Sequence, residues 1–157
     1  MIDLKALTAK VAEIAKEAGT YLRESQSTFN TDTITSKSLN ALVSEVDQNT
    51  ERLLVERLSA LLPLAGFLTE EETTAQDLNK EYTWVIDPLD GTTNFLHGLP
   101  IYSVSLALLH HEWPVIGVVY EVGLDECFTA YKDGGAFLNE QPISTSSSIQ
   151  LADTLLA

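Results

Sequence analysis

The sequence predicts an α+β domain in which two amphipathic helices lie on one face of a largely antiparallel sheet. Three observations lead there. Apolar residues recur at helical spacing in two stretches before Pro63, strand-like runs separated by turn signals follow from Tyr82, and 157 residues with 45% hydrophobic content suffice for one sizeable core.

Leu4, Leu7, Val11, Ile14, Ala18 and Leu22 step by three and four with Lys, Glu and Arg between them, so a first helix is expected at about residues 3–24. Residues 25–35 carry few apolar anchors and read as a turn or exposed strand ends, and Ala41-Leu42-Val43 reads as a short strand. A second helix is expected from Asp47, with Leu54, Leu58 and Leu61 on one face, Asp47 or Asn49 as its cap and Pro63 as its stop. Phe67-Leu68 then precede Glu70-Glu71-Glu72 and a polar surface excursion through Lys80. Residues 82–86 are apolar, aromatic and β-branched enough for a buried strand. Further strands are expected at about 101–109, 115–120, 126–131 and 136–138, punctuated by Trp113-Pro114, Gly123 and Asp133-Gly134-Gly135. Leu155-Leu156-Ala157 reads as the beginning of one more.

The formal charge of −14 comes from 23 acidic against 9 basic residues, and the basic ones are scattered, so no nucleic-acid polymer is expected as a partner. No apolar stretch reaches membrane-spanning length, and Met1 leads into a charged helical pattern instead of a signal core. The chain therefore reads as soluble and unprocessed, with no membrane partner. Cys127 alone makes neither an internal disulfide nor a cysteine-based zinc site, in keeping with a reducing cytoplasm. An acidic chain that handles an anionic substrate needs divalent cations to invert the local field.

The stretch Trp84-Val85-Ile86-Asp87-Pro88-Leu89-Asp90-Gly91-Thr92-Thr93-Asn94-Phe95 has the residues for that. A buried strand delivers Asp87 at its end, Pro88 keeps Asp87 extended, and Asp90 brings a second carboxylate to the same mouth. Gly91 leaves room for an anion, and Gly91 with Thr92 can open a helix whose free N–H groups face a phosphate. Unit charges 4 Å apart repel by roughly 4 kcal/mol at an effective dielectric near 20, so a cation is the natural resolution. Magnesium suits all-oxygen ligands beside a phosphate, and metal ions promote phosphate-monoester hydrolysis by activating water and neutralising the leaving alkoxide, with no covalent intermediate required.

These residues resemble the inositol monophosphatase family. The run from Asp87 to Thr93, continued by Asn94-Phe95-Leu96-His97-Gly98, is similar to that family's core motif. Glu70-Glu71 resembles its paired glutamates, Leu42-Val43-Ser44-Glu45-Val46-Asp47 its leucine-valine-threonine-x-x-aspartate segment, and Lys37 stands where the family has a lysine near the metals. Order and spacing agree over essentially the whole chain. The resemblance implies that Glu70, Asp87 and the Leu89 carbonyl hold a first magnesium, that Asp87 bridges to a second also bound by Asp90, and that the amides of Gly91 and Thr92 hold the phosphate. It implies that Thr92, hydrogen-bonded to Asp47, orients and helps deprotonate the attacking water, with Lys37 and Glu71 behind the ligands. The activity it implies is magnesium-dependent hydrolysis of a small phosphorylated polyol, with myo-inositol monophosphate as the default, in a cytoplasmic protein that is a homodimer when complete.

Thr69 stands where the family usually has glycine, and Ala41 where it often has aspartate; neither is a proposed ligand. Family members continue into a second α/β lobe whose tryptophan-aspartate-x-alanine segment supplies a further metal ligand, and residues 1–157 correspond to the first lobe, which binds metal and phosphate. Catalysis by this chain is therefore expected to be incomplete. Blander readings stand beside these. Asp87 and Asp90 suit turns, Asp47 suits a helix cap, Lys37 suits a plain surface, and Glu72 reads as solvated. His97, His110 and His111 lack metal-ligand spacing. Other functions in view are a bisphosphate nucleotidase or sugar bisphosphatase of the wider superfamily and a non-catalytic metal-binding fragment. The nucleotidases commonly follow the core with a lysine-glutamate-phenylalanine tail, where this chain has Thr93-Asn94-Phe95.

Overall fold

The computed structural model describes residues 2–28, 36–148, 150 and 152, with backbone alone for 36–42. Helix α1 spans Leu4–Ser27 and is capped by Asp3, whose carboxylate accepts from the Ala6 amide at 3.0 Å. Its stripe of Leu7, Val11, Ile14, Ala15, Ala18 and Leu22 is buried, as the spacing predicts. The helix runs three residues past the expected end at 24. The hydroxyls of Ser27 and Thr28 then donate back to the carbonyls of Glu24 and Ser25.

Helix α2 spans Ser36–Leu61 without a break. This corrects two expectations: Ala41-Leu42-Val43 is helical instead of a strand, and Asp47 lies mid-helix instead of capping it. The cause is the polarity of the buried stripe. Val43, Val46, Asp47, Thr50, Glu51, Leu54 and Leu58 recur at three- and four-residue steps and all are buried, but the central turn of that stripe is polar. An apolar-period reading anchored on Leu54, Leu58 and Leu61 therefore starts the helix at Asp47 instead of Ser36. Pro63 follows the last turn, as expected.

Seven strands form one sheet in sequence order: β1 Gly66–Thr69, β2 Tyr82–Asp90, β3 Ser103–His110, β4 Trp113–Glu121, β5 Glu126–Tyr131, β6 Gly135–Leu138 and β7 Gln141–Ile143. All neighbours are antiparallel except β1 and β2, which run parallel. The short helix α3, Thr92–Leu96, follows β2. Strand β7 was not foreseen, its three residues being exposed and lacking alternation. The expected strand at Leu155-Leu156-Ala157 lies outside the described residues.

Cross-strand registers build the core in rows. Trp84, Leu108 and Ile116 are aligned, as are Ile86, Leu106 and Val118, and Val104, Tyr120 and Cys127, and all are at most 4% exposed. Helix α1 covers β3, β4 and β5, while α2 lies against α1 and β2. Gly19 permits this approach: a Cβ there would sit 2.4 Å from the Tyr120 ring. The α+β class read from the sequence is the class observed.

Candidate functional site

Glu70, Asp87 and Asp90 lie where β1 and β2 end. Asp87 and Asp90 are three residues apart, a spacing that in a regular strand puts two side chains on opposite faces. A bulge removes the conflict. Asp87 pairs with Ser105 and Asp90 with Ser103, so three steps on β2 match two on β3, and both aspartates fall on the side shared by the two serines. Pro88 sits in the bulge, where a residue without an N–H is tolerated. Asp87 Oδ1 accepts from the Leu89 amide at 3.2 Å, fixing the turn between the carboxylates.

Glu70 follows β1, and its amide donates to the Ile86 carbonyl at 3.3 Å, so it sits beside the residue that precedes Asp87. Asp47 reaches the same region from α2 and is only 6% exposed, whereas Glu70 and Asp90 are exposed and Asp87 is half-buried. The acids thus grade from a buried floor to an open mouth.

Their mutual influence appears in their proton affinities. Burial pushes the Asp47 carboxyl up to about 8, reinforced by the charges of Glu71, Glu70, Asp87 and Glu51. Burial also raises Asp87 to about 7, with repulsion from Glu70, a hydrogen bond shared with Glu70 and repulsion from Asp90 adding to it, while the Leu89 amide opposes. Glu71 is raised by burial and by Glu51, against a hydrogen bond from Gln48. Among the described residues no three His, Cys, Asp or Glu side chains are drawn into an ion-gripping set. The acids therefore interact in pairs, Asp87 sharing a hydrogen bond with Glu70 and feeling the charge of Asp90. The donor chemistry fits a hard divalent ion, since every candidate atom is a carboxylate or carbonyl oxygen. Asp47 Oδ1 is in addition a buried acceptor with no hydrogen-bond partner among the described residues, which marks the floor as built for a further donor or cation.

Gly91 begins α3 at φ +95°, and a Cβ there would lie 2.9 Å from the Ile101 carbonyl oxygen, so glycine suits the position on both counts. It offers no side chain to cap the α3 amides. Three bonds anchor this short helix: Asn94 Nδ2 to the Ile101 carbonyl at 2.7 Å, Gln26 Nε2 of α1 to the Phe95 carbonyl at 3.0 Å, and the Tyr102 hydroxyl to Gln26 Oε1 at 3.3 Å. The expected hydrogen bond from Thr92 to Asp47 is not the one observed. Thr92 Oγ1 donates to the Leu89 carbonyl at 2.9 Å, an acceptor one turn back that its position after Gly91 puts within reach. Lys37 lies in the first turn of α2 with its side chain outside the described residues, and Glu72 is exposed. Of the histidines, His110 stacks on Tyr82 with ring centroids 4.7 Å apart and lies 3.4 Å from Glu81, well away from the acids in sequence and on the outer end of β3.

Sequence reasoning missed Glu51. It is fully buried, and its carboxylate accepts from the Glu71 amide at 2.7 Å and from the Thr73 amide and hydroxyl at 2.7 and 2.6 Å. The available signal was its position four residues after Asp47, which shares a helix face only once α2 is known to run through both.

Among the described residues no helix is long and apolar enough to cross a membrane. The chain is 42% identical over 148 residues to inositol monophosphatase 3 of Solanum lycopersicum, covering 92% of this chain and 54% of that protein. It is 35% identical over 151 residues to inositol-1-monophosphatase of Mesorhizobium japonicum, covering 96% and 57%. The extragenic suppressor protein suhB of Bartonella henselae superposes with a TM-score of 0.80 at 33% identity, over 94% of this chain and 57% of that one. The chain thus spans little more than half the length of the relatives it matches. The model of the inositol monophosphatase family matches residues 3–157, and with these relatives, the shared fold and the Asp87–Thr93 motif in place, the chain belongs to that family.

Proposed function

We propose that residues 1–157 form the metal- and phosphate-binding lobe of a magnesium-dependent phosphomonoesterase, acting on a small phosphorylated polyol with myo-inositol monophosphate as the leading substrate. The observation that carries this is that Asp87 shares a hydrogen bond with Glu70 and feels the charge of Asp90, while Glu70 and Asp87 both raise the buried Asp47, with the glycine-capped start of α3 following Asp90. Glu70, Asp87 and the Leu89 carbonyl would hold one magnesium ion, and Asp87 with Asp90 a second. Bound magnesium supplies a water of lowered pKa and offsets the charge that develops on the leaving oxygen.

The chain's own groups do the rest. The amides of Gly91 and Thr92 would receive the phosphate at the start of α3, where no side chain caps them. Thr92 exchanges its present acceptor, the Leu89 carbonyl, for the Asp47 carboxylate, whose Oδ1 is without a partner among the described residues. Once its own proton has been lost to the field of bound cations, Asp47 would take up the proton of the attacking water through Thr92. Glu71, bonded to Gln48, and Lys37 stand behind the ligands and hold their orientation. In the family the remaining metal ligand and much of the polyol pocket belong to a second lobe, and the complete protein is a cytoplasmic homodimer.

Asn94 favours this reading over the nucleotidase alternative. Its amide closes the α3 loop onto the Ile101 carbonyl, a bond that a glutamate at this position has no donor to make. Phosphate release should be measured from inositol, sugar and nucleotide phosphates, comparing this chain with a C-terminally extended form. Magnesium-dependent release by the extended form, fastest on inositol phosphate, is expected. Release without magnesium, or equal turnover by both forms, would refute the assignment or the division of labour between lobes.

A further inference from the structure

Glu51 is a carboxylate with no solvent exposure and, among the described residues, no cationic partner. Burying such a charge is costly unless its lone pairs are filled, and here a single loop fills them. Oε2 accepts from the Glu71 amide, and Oε1 from the amide and the hydroxyl of Thr73. Between those two residues Glu72 adopts φ +51°, the left-handed conformation that turns successive amides toward one point. The loop is wrapped around the carboxylate as a backbone nest is wrapped around an anion.

The placement matters because the loop starts with Glu70. The Glu70 amide is tied to Ile86 on β2, next to Asp87, while the following amide is tied to Glu51 on α2, one turn beyond Asp47. Glu70 is therefore held from both sides, by the strand that carries one acid and by the helix that carries another. A neutral acceptor would avoid the cost of a buried charge, yet the residue present is an acid that adds repulsion at Asp47 and Glu71. That extra negative charge deepens the potential that draws a cation to the mouth.

We propose that Glu51 is a positioning residue for divalent-ion binding: it clamps the Glu70–Thr73 loop to α2, so that Glu70 meets Asp87, and adds its charge to the field at the mouth. The proposal rests on the reading of Glu70 and Asp87 as metal ligands. The test is manganese binding to this chain, followed by electron paramagnetic resonance at neutral pH, together with hydrogen exchange at the Glu71 and Thr73 amides. Glu51→Gln is expected to weaken manganese binding by about tenfold or more, in the range found for groups that orient metal ligands, and to speed exchange at both amides. Thr73→Val, which keeps the charge and removes one bond, should weaken binding by less and decides the matter if Glu51→Gln does not fold. Leu58→Ala, further along α2 and fully buried, destabilises the helix without touching the loop and should leave affinity unchanged well below its melting temperature. If the unmodified chain binds manganese in a manner that Glu70→Gln abolishes, yet Glu51→Gln, or Thr73→Val in its place, binds equally well, the clamp is refuted while the metal site stands. If the unmodified chain binds none, the site reading falls and the clamp with it.

Discussion

Replacing Asp47 by Asn should change how the metal-free chain responds to pH. Asp47 is almost wholly buried and its carboxyl is pushed from an ordinary 3.8 up to about 8. Above pH of about 4 the unfolded chain has released this proton, whereas the folded chain keeps it until near pH 8. The folded state then binds one proton more, so stability falls as pH rises through that window, by about 1.4 kcal/mol per pH unit. From pH 5 to 7 the loss from Asp47 alone is about 3 kcal/mol, which at roughly 2 to 4 °C per kcal/mol for a chain of this size lowers Tm by about 6 to 12 °C. Asp87, raised to about 7 by burial and by Glu70, adds to the same slope at the acid end. Asp47→Asn preserves the volume and removes the titration, so its melting curves, recorded in chelator by circular dichroism, should fall less steeply by the Asp47 share. Parallel profiles for the two proteins would show that Asp47 is not held in a buried acidic cluster.

The same protons should leave when a cation enters: magnesium added at pH 7 is expected to raise Tm and acidify a weakly buffered solution, and Glu70→Gln should abolish most of both effects. Gly91→Ala should lower stability by about 1 to 2 kcal/mol from its left-handed backbone, with more from the clash at Ile101, and should weaken phosphate binding measured by 31P NMR. Arg57→Met should leave the urea-unfolding midpoint almost unchanged although Arg57 approaches Glu17 at 2.8 Å, because each side chain is 43% exposed and solvent screens the pair.

Much of this arrangement is legible in the residues alone. The stripe on α1, the strands from β2 to β6 and the Asp87–Thr93 motif follow from local patterns, because in each the side chains that are buried are also apolar or the turn residues are diagnostic. Helix α2 was cut short because Asp47, Thr50 and Glu51 lie on its buried face, so function had replaced the hydrophobic signal there. The bulge that brings Asp87 and Asp90 to one side needs the pairing with β3, a long-range fact that no window along β2 contains. The resemblance implies an acceptor for Thr92 across the site, and the structure instead satisfies its hydroxyl within its own turn, at Leu89. Glu51 is not legible in the sequence because its partners, Glu71 and Thr73, come from a loop about twenty residues away that follows β1.

Crystals of this chain grown with manganese, with diffraction recorded at the manganese edge, would confront the central claim directly. An anomalous peak bounded by the carboxylates of Glu70, Asp87 and Asp90 is expected, with the Leu89 carbonyl facing it. Manganese held elsewhere on this acidic surface, with those three side chains turned to separate surroundings, would contradict the account.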